Sequence, residues 1–199
     1  MITTKKLILD YGRVLVGFDP YRLYYRYFGD KEKASWFVKN VITEEWVRKL
    51  DIGQSFDECV WELQVRYPKY REAIALYDTC YQEIVTGEIP GMYDLVRGYK
   101  AKGLKVYGLT NWSYKVYDVI SRYPVFTLMD GTVISSEVHL LKPDVAIYQC
   151  LMDKYALKAD ECVFVDDRAE NVDAARRIGM KGVVFKDSEQ LYIELSKII

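Results

Sequence analysis

Four places in the 199-residue sequence carry side chains that could do chemistry together: Asp10, Thr110-Asn111, Lys142 and Asp166-Asp167. A carboxylate such as Asp10 can attack phosphorus and form an aspartyl-phosphate, which splits a hydrolysis into two easier steps. Phosphoryl transfer then asks the protein mainly for positioning and charge neutralisation. A hard cation, Mg²⁺, takes carboxylate and carbonyl oxygens with water, a set that Asp10, a backbone carbonyl and Asp166 can supply. The cation would also relieve repulsion within a carboxylate cluster. Lys142 and the hydroxyl and amides around Thr110 suit the remaining phosphoryl oxygens. One role is left empty, that of proton donor to the leaving group. Each residue also has an ordinary reading: Asp10 as a turn cap, Thr110 and one of Asp166-Asp167 as helix caps, Lys142 as an exposed lysine.

These residues need elements that bring them together. Short apolar runs at 7–9, 106–109, 162–165 and 183–185 are too short for stable helices and predict buried strands. Between the later runs lie helical patterns. Met92, Leu95, Val96 and Tyr99 repeat at i, i+3, i+4, i+7 before Gly103, Ile147, Cys150 and Leu151 mark a second apolar face, and Val172 and Ala175 start a third that Gly179 closes. Strands alternating with helices predict a parallel sheet with helices on both faces. Ligands bind such sheets beyond the carboxyl ends of the strands. Asp10, Thr110-Asn111 and Asp166-Asp167 each follow a run directly, and Lys142-Pro143 opens the helix before the third, so all converge on one sheet edge.

Residues 20–88 break the rhythm. Helical patterns follow one another at 21–28, 31–41, 44–50, 56–65 and 70–85, with Asp51-Ile52-Gly53 and Tyr67-Pro68 as turn signals and no strand-like run. The aromatic cluster Tyr21, Tyr24, Tyr25, Tyr27 and Phe28 reads first as helix packing and second as a sugar platform.

Composition narrows the classes. The chain has 28 basic and 29 acidic residues, a net charge of -1, and is 50% hydrophobic, which suits one domain or one core with an insertion. The interspersed charges give no footprint for nucleic acid and no polybasic membrane anchor. No apolar run approaches the roughly 18 residues of a membrane span. Residues 1–6 carry two lysines with no long apolar stretch after them, so no signal peptide is expected and a cytoplasmic location is. The single His139 excludes a site built on several histidines and is given no role. Cys59, Cys80, Cys150 and Cys162 form no CxxC pair and read as reduced thiols packed as small hydrophobes.

The ordered motifs Leu7-Ile8-Leu9-Asp10-Tyr11-Gly12-Arg13, Leu109-Thr110-Asn111-Trp112, Leu141-Lys142-Pro143 with Tyr148, and Val165-Asp166-Asp167 with Asn171 resemble the haloacid dehalogenase (HAD) superfamily of hydrolases. Within it the likeness is to sugar-1-phosphate phosphatases and the amino-terminal phosphatase domain of soluble epoxide hydrolases. The resemblance spans nearly the whole chain. It implies an α/β fold, a Rossmann-like core of residues 1–17 and 89–199 with a small all-helical cap, residues 18–88, inserted after the first strand. It implies a Mg²⁺-dependent phosphatase of a small phosphorylated metabolite, with sugar phosphates as one class, acting as a monomer or homodimer with no nucleic-acid or membrane partner. Asp10 would be the nucleophile and a Mg²⁺ ligand, with the Gly12 carbonyl and Asp166 as the other ligands and Asp167 as a further or alternative one. Thr110 and Lys142 would hold the phosphate, and Asn111 and Trp112 would line the substrate site.

The chain departs from the family at Gly12, where most of its phosphatases carry a second aspartate as general acid and base, a role worth roughly 10²–10⁴-fold. A readily departing group such as an anomeric hydroxyl would need less protonation, and simple alkyl phosphates would then turn over slowly. Arg13 either adds charge to the phosphate pocket or points away to an acidic surface residue, the second being favoured. Two other functions compete. A dehalogenase would carry Ser and Asn where Asp166-Asp167 stand, which argues against it. A non-catalytic binding or regulatory protein would account for Gly12. A receiver domain places its paired acids before the phosphoacceptor, the reverse of this order, and is shorter.

Overall fold

The computed structural model describes residues 5–199. Residues 1–4, with which the expected core and the reading on targeting begin, lie outside them. Strand β1 (Lys6–Leu9) leads through a tight turn to β2 (Val16–Phe18). Five helices follow: α1 (Pro20–Phe28), α2 (Lys31–Asn40), α3 (Glu44–Asp51), α4 (Phe56–Arg66) and α5 (Arg71–Thr79). Strand β3 (Val85–Glu88) then returns antiparallel to β2. From there α6 (Met92–Ala101), β4 (Lys105–Thr110), α7 (Val116–Ile120), β5 (Gly131–Ile134), α8 (Ser135–Val138) and α9 (Val145–Tyr155) succeed one another. The chain closes with β6 (Cys162–Asp166), α10 (Ala169–Arg177), β7 (Lys181–Val184) and α11 (Ser188–Ile198).

The main sheet is parallel, in the order β5-β4-β1-β6-β7, so the fold is α/β as expected. Its alternation sorts side chains between two faces. Leu7, Leu9, Val106, Val163 and Val165 join one buried cluster with residues of α6, α11 and the helices α1 to α5, while Ile8, Leu109, Phe164 and residues of α9 and α10 form the other. Each fully buried aliphatic or aromatic side chain of this kind contributes about 1.5–3 kcal/mol. Register then places the chemistry: Leu9 lies level with Gly108 on one side and Val165 on the other, so Asp10, Thr110 and Asp166 emerge from the sheet side by side.

Two expectations between residues 20 and 88 are corrected. The helix expected over 70–85 ends at Thr79, a 3₁₀ turn occupies Tyr81–Glu83, and Val85 begins a strand. The partner that makes Val85–Glu88 a strand is β2, some 70 residues earlier, and a local pattern cannot reveal it. Strand β5 also carries no expected run, and the last core strand is Lys181–Val184 rather than 183–185. Within the aromatic cluster of α1, Tyr24 and Phe28 are packing: Tyr24 is fully buried with its ring 4.6 Å from Phe37, and Phe28 lies 5.3 Å from the same ring, whereas Tyr25 and Tyr27 are exposed. The four cysteines are free, Cys59 and Cys162 buried and Cys80 and Cys150 half-buried. Among the described residues no helix is long and apolar enough to cross a membrane.

Candidate active site

Lys142 is the hub. Its ammonium is 2.8 Å from Asp10 Oδ1, 2.7 Å from Asp166 Oδ2 and 2.8 Å from the Leu109 carbonyl, and the residue is 2% exposed. A buried cation persists only when so partnered. Burial alone would lower its pKa, but Asp10 and Asp166 together hold it above the usual lysine value. Asn111 fixes the lysine backbone from both sides: its Nδ2 donates to the Lys142 carbonyl at 3.0 Å, and its Oδ1 accepts from the Lys142 N–H at 2.8 Å. Asn111, expected as a substrate contact, therefore lines the cavity and also positions the lysine.

Asp166 is wholly buried and held by three donors, Lys142, the Arg168 N–H and Asn171 Nδ2, the last two at 2.9 Å on Oδ1. The residue capping α10 is Arg168, so neither aspartate of the pair is the N-cap. Asp10 is pushed up to about 7 by burial, eased by Lys142 and worsened by Asp166. Burial and Asp166 also raise Asp167. Oxygens of Asp10, Asp166 and Asp167 all lie within 4.8 Å of one another. Three hard oxygen donors with no histidine or thiolate fit Mg²⁺ rather than Zn²⁺, and crowded carboxylates are what such a cation would stabilise.

Thr110 is completely buried, and its hydroxyl has no hydrogen-bond partner in the protein, so it is not the cap of the next helix. An unpaired buried hydroxyl at a strand end suits a ligand oxygen. Gly12, Arg13, Trp112, Lys142 and Asp167 line a cavity of about 830 Å³ together with Asp10. Trp112 is 3% exposed and packs edge-on against Phe18 at 5.4 Å, so it forms the cavity wall. Arg13 does not reach for a distant surface acid: it lines the cavity, with Nη1 3.8 Å from Asp167. Its φ of +61° is unusual for a non-glycine residue, and such strain gathers at functional sites.

The far wall comes from the segment between β2 and β3, through Val38 of α2, Ile42 in the turn after it, and Val47, Arg48 and Asp51 of α3. Helix α3 is capped at its start by Thr43, whose hydroxyl accepts from the Trp46 N–H at 3.2 Å, and it ends at Asp51. The turn after it is clasped onto the sheet edge. Ser135 Oγ donates to the Asp51 carbonyl at 2.6 Å, and His139 Nδ1 donates to that of Ile52 at 2.8 Å. Gly53 sits at φ +99°, where a Cβ would come within 2.7 Å of the Ser136 carbonyl. Gly53→Ala is therefore expected to cost about 1–3 kcal/mol. At roughly 2–4 °C per kcal/mol for a chain this size, a thermal melt unchanged from wild type would contradict the clasp.

Asp51, Ser135 and His139 are the residues that sequence reasoning misses. Asp51-Ile52-Gly53 looks like any helix exit, and nothing local distinguishes an aspartate that faces Asp10 across a cavity.

A family model for haloacid dehalogenase-like hydrolases matches residues 16–179, beginning after Asp10. The chain is 26% identical over 184 residues to a sesquiterpene phosphatase of Aspergillus oryzae, covering 82% of this chain and 91% of that protein. A 96-residue stretch, 48% of this chain, is 32% identical to the drimenol cyclase of Aspergillus calidoustus but spans only 18% of it. Among solved structures, a HAD family enzyme from Bacteroides thetaiotaomicron in complex with magnesium and inorganic phosphate superposes with a TM-score of 0.70 at 18% identity, covering 94% of this chain and 98% of that one. That likeness is one of fold, whereas the family match extends over most of the sequence: the chain belongs to the haloacid dehalogenase-like hydrolases.

Proposed function

We propose that the protein is a Mg²⁺-dependent phosphatase acting on a small phosphorylated metabolite. The observation that carries the reading is the buried ion cluster: Lys142 wedged between Asp10 and Asp166, with Asp167 alongside and the unpaired Thr110 hydroxyl at the next strand end. The phosphatase relative and the magnesium and phosphate bound by the structural relative support it. Asp10, Asp166, Asp167 and the Gly12 carbonyl would hold Mg²⁺. When bound, the cation neutralises phosphoryl oxygens and the carboxylates around them.

In this reading Asp10 attacks phosphorus in line, and its carboxylate becomes a mixed anhydride, the aspartyl-phosphate. Lys142 and Thr110 bind phosphoryl oxygens where charge grows. Asn111 keeps the lysine in place, and Trp112 limits water. Residues 18–88 serve as a cap over a core of 1–17 and 89–199, and the organic part of the substrate meets Val38, Ile42 and Val47. These apolar walls suit a substrate with an apolar face, so prenyl phosphates should be tested beside sugar phosphates.

The test is phosphate release from sugar phosphates, nucleotides, a prenyl phosphate and p-nitrophenyl phosphate, with Mg²⁺ and with EDTA. Release is expected with Mg²⁺, and EDTA should lower it by at least about 10²-fold, as befits a metal worth several kcal/mol of transition-state stabilisation. Binding of Mg²⁺ with no release from any substrate would favour the non-catalytic alternative, for which Gly12 is the observation.

A further inference from the structure

The ion cluster contains a nucleophile, a phosphate clamp and a metal set, but Gly12, two residues after Asp10, brings no carboxyl outside that set to protonate the departing oxygen. The cavity wall holds few acids outside that cluster. Glu44 and Glu170 line it, but both are paired with Arg168 and largely exposed. Tyr81 lines it too, and burial pushes its phenol up, too weak an acid at neutral pH. Asp51 remains.

From the position of Asp51 we infer that the helical insertion supplies the general acid and base of the reaction, in place of a carboxylate next to the nucleophile. This rests on the phosphatase reading. The geometry is that of a held group: Asp51 closes α3, its carbonyl takes the Ser135 hydroxyl, and the Ser113 N–H reaches its carboxylate. Ser113 belongs to the same loop as Thr110, so the acid is tied to the strand end that would bind the phosphate.

The surroundings favour the protonated form. Burial and the charge of Asp10 raise Asp51 to about 7. Opposing them are the Ser113 N–H, Arg48 one turn back on α3, and Lys142. Tyr77 and Tyr81 face it from α5 and the following turn, and His139 stands on the neighbouring carbonyl. The last residue of a helix also feels the negative end of its dipole, which disfavours a carboxylate there.

The step balances. Asp10 forms a P–O bond as the ester P–O bond breaks, and the proton of Asp51 goes to the ester oxygen, which leaves as the alcohol. Water then attacks the aspartyl-phosphate, one proton returns to Asp51, and the P–O bond to Asp10 breaks to release phosphate. The leaving group on this account need not be an activated one.

The experiment compares wild type and Asp51→Asn, with Mg²⁺, on p-nitrophenyl phosphate and on an alkyl phosphate. The first substrate leaves as a weak base and needs no proton. Asp51→Asn is expected to lower kcat/KM, which reads the step that expels the leaving group and not the later water attack common to both substrates, by about 10²–10⁴-fold on the alkyl phosphate and by less than about 3-fold on p-nitrophenyl phosphate. In wild type kcat/KM on the alkyl phosphate should fall at the pH where Asp51, raised above the ordinary carboxyl value by burial, loses its proton, while p-nitrophenyl phosphate lacks this limb. That profile needs no variant, so it stands even if Asp51→Asn misfolds. Equal losses on both substrates, or identical pH profiles, would overturn the role of Asp51 and leave the phosphatase intact. A wild type that releases phosphate from neither substrate would overturn both.

Discussion

Asp10→Asn is expected to abolish phosphate release, by at least about 10⁴-fold in kcat, and yet to stabilise the metal-free protein. The first effect follows from removing a nucleophile, since groups acting at the reacting bond lose nearly everything when deleted singly. The second follows from burial. In the folded chain Asp10 is raised from 3.8 to about 7, so its ionised form is disfavoured by folding. A raised carboxyl costs stability as pH climbs from about 4 to about 7, and the penalty is full above that. Across that range it grows by about 1.4 kcal/mol per pH unit and reaches a few kcal/mol. Thermal melts in EDTA at pH 8 should therefore place Asp10→Asn above wild type, with the gain vanishing near pH 4. A variant less stable than wild type at pH 8, or one that keeps a tenth of the activity, would contradict the assignment. Sites that hold charges together against repulsion commonly trade stability for function in this way.

Lys142→Ala should act in the opposite sense on stability. The ammonium is the one cation within 3 Å of both Asp10 and Asp166 among the described residues. Its removal leaves two buried carboxylates facing each other, and breaking a buried ion pair from one side costs about 3–5 kcal/mol. In a chain of this size that is a fall of roughly 6–20 °C in melting temperature. Millimolar Mg²⁺ should restore part of the loss, because a cation among the three aspartates takes over the neutralising charge and binds only the folded state. The variant should thus gain more from Mg²⁺ than wild type does. A melt within about 2 °C of wild type, or one indifferent to Mg²⁺, would mean that the cluster is not held by its charges. Activity should fall together with the loss of the phosphate clamp.

The two variants probe a cluster that is easy to read in the sequence. Asp10, Thr110 and Asp166 each stand at the end of an apolar run, and in a parallel sheet strand ends share one edge. The order of the motifs adds Lys142, which no strand announces. Arg13 is harder: its side chain is exposed, and only the left-handed turn that brings it to Asp167 shows that it stands at the cavity. Strand β3 illustrates the same limit, because Val85–Glu88 is a strand only through its pairing with β2.

What the sequence determines by itself is therefore what rests on local periodicity and order along the chain: the alternating strands and helices, the helical insertion, the acids at the strand ends and the absence of a carboxyl at Gly12. What the tertiary structure decides is what depends on contacts between distant segments. The hub made by Lys142 joins residues from three parts of the chain, since a buried ammonium needs several partners and no single segment supplies them. Asp51 is the clearest case. Its neighbours in sequence mark a turn, whereas Ser135 and His139, more than 80 residues later, hold that turn against the sheet edge and set a carboxyl in the cavity. Burial and facing charges, which give such a group its chemistry, exist only once the chain has folded.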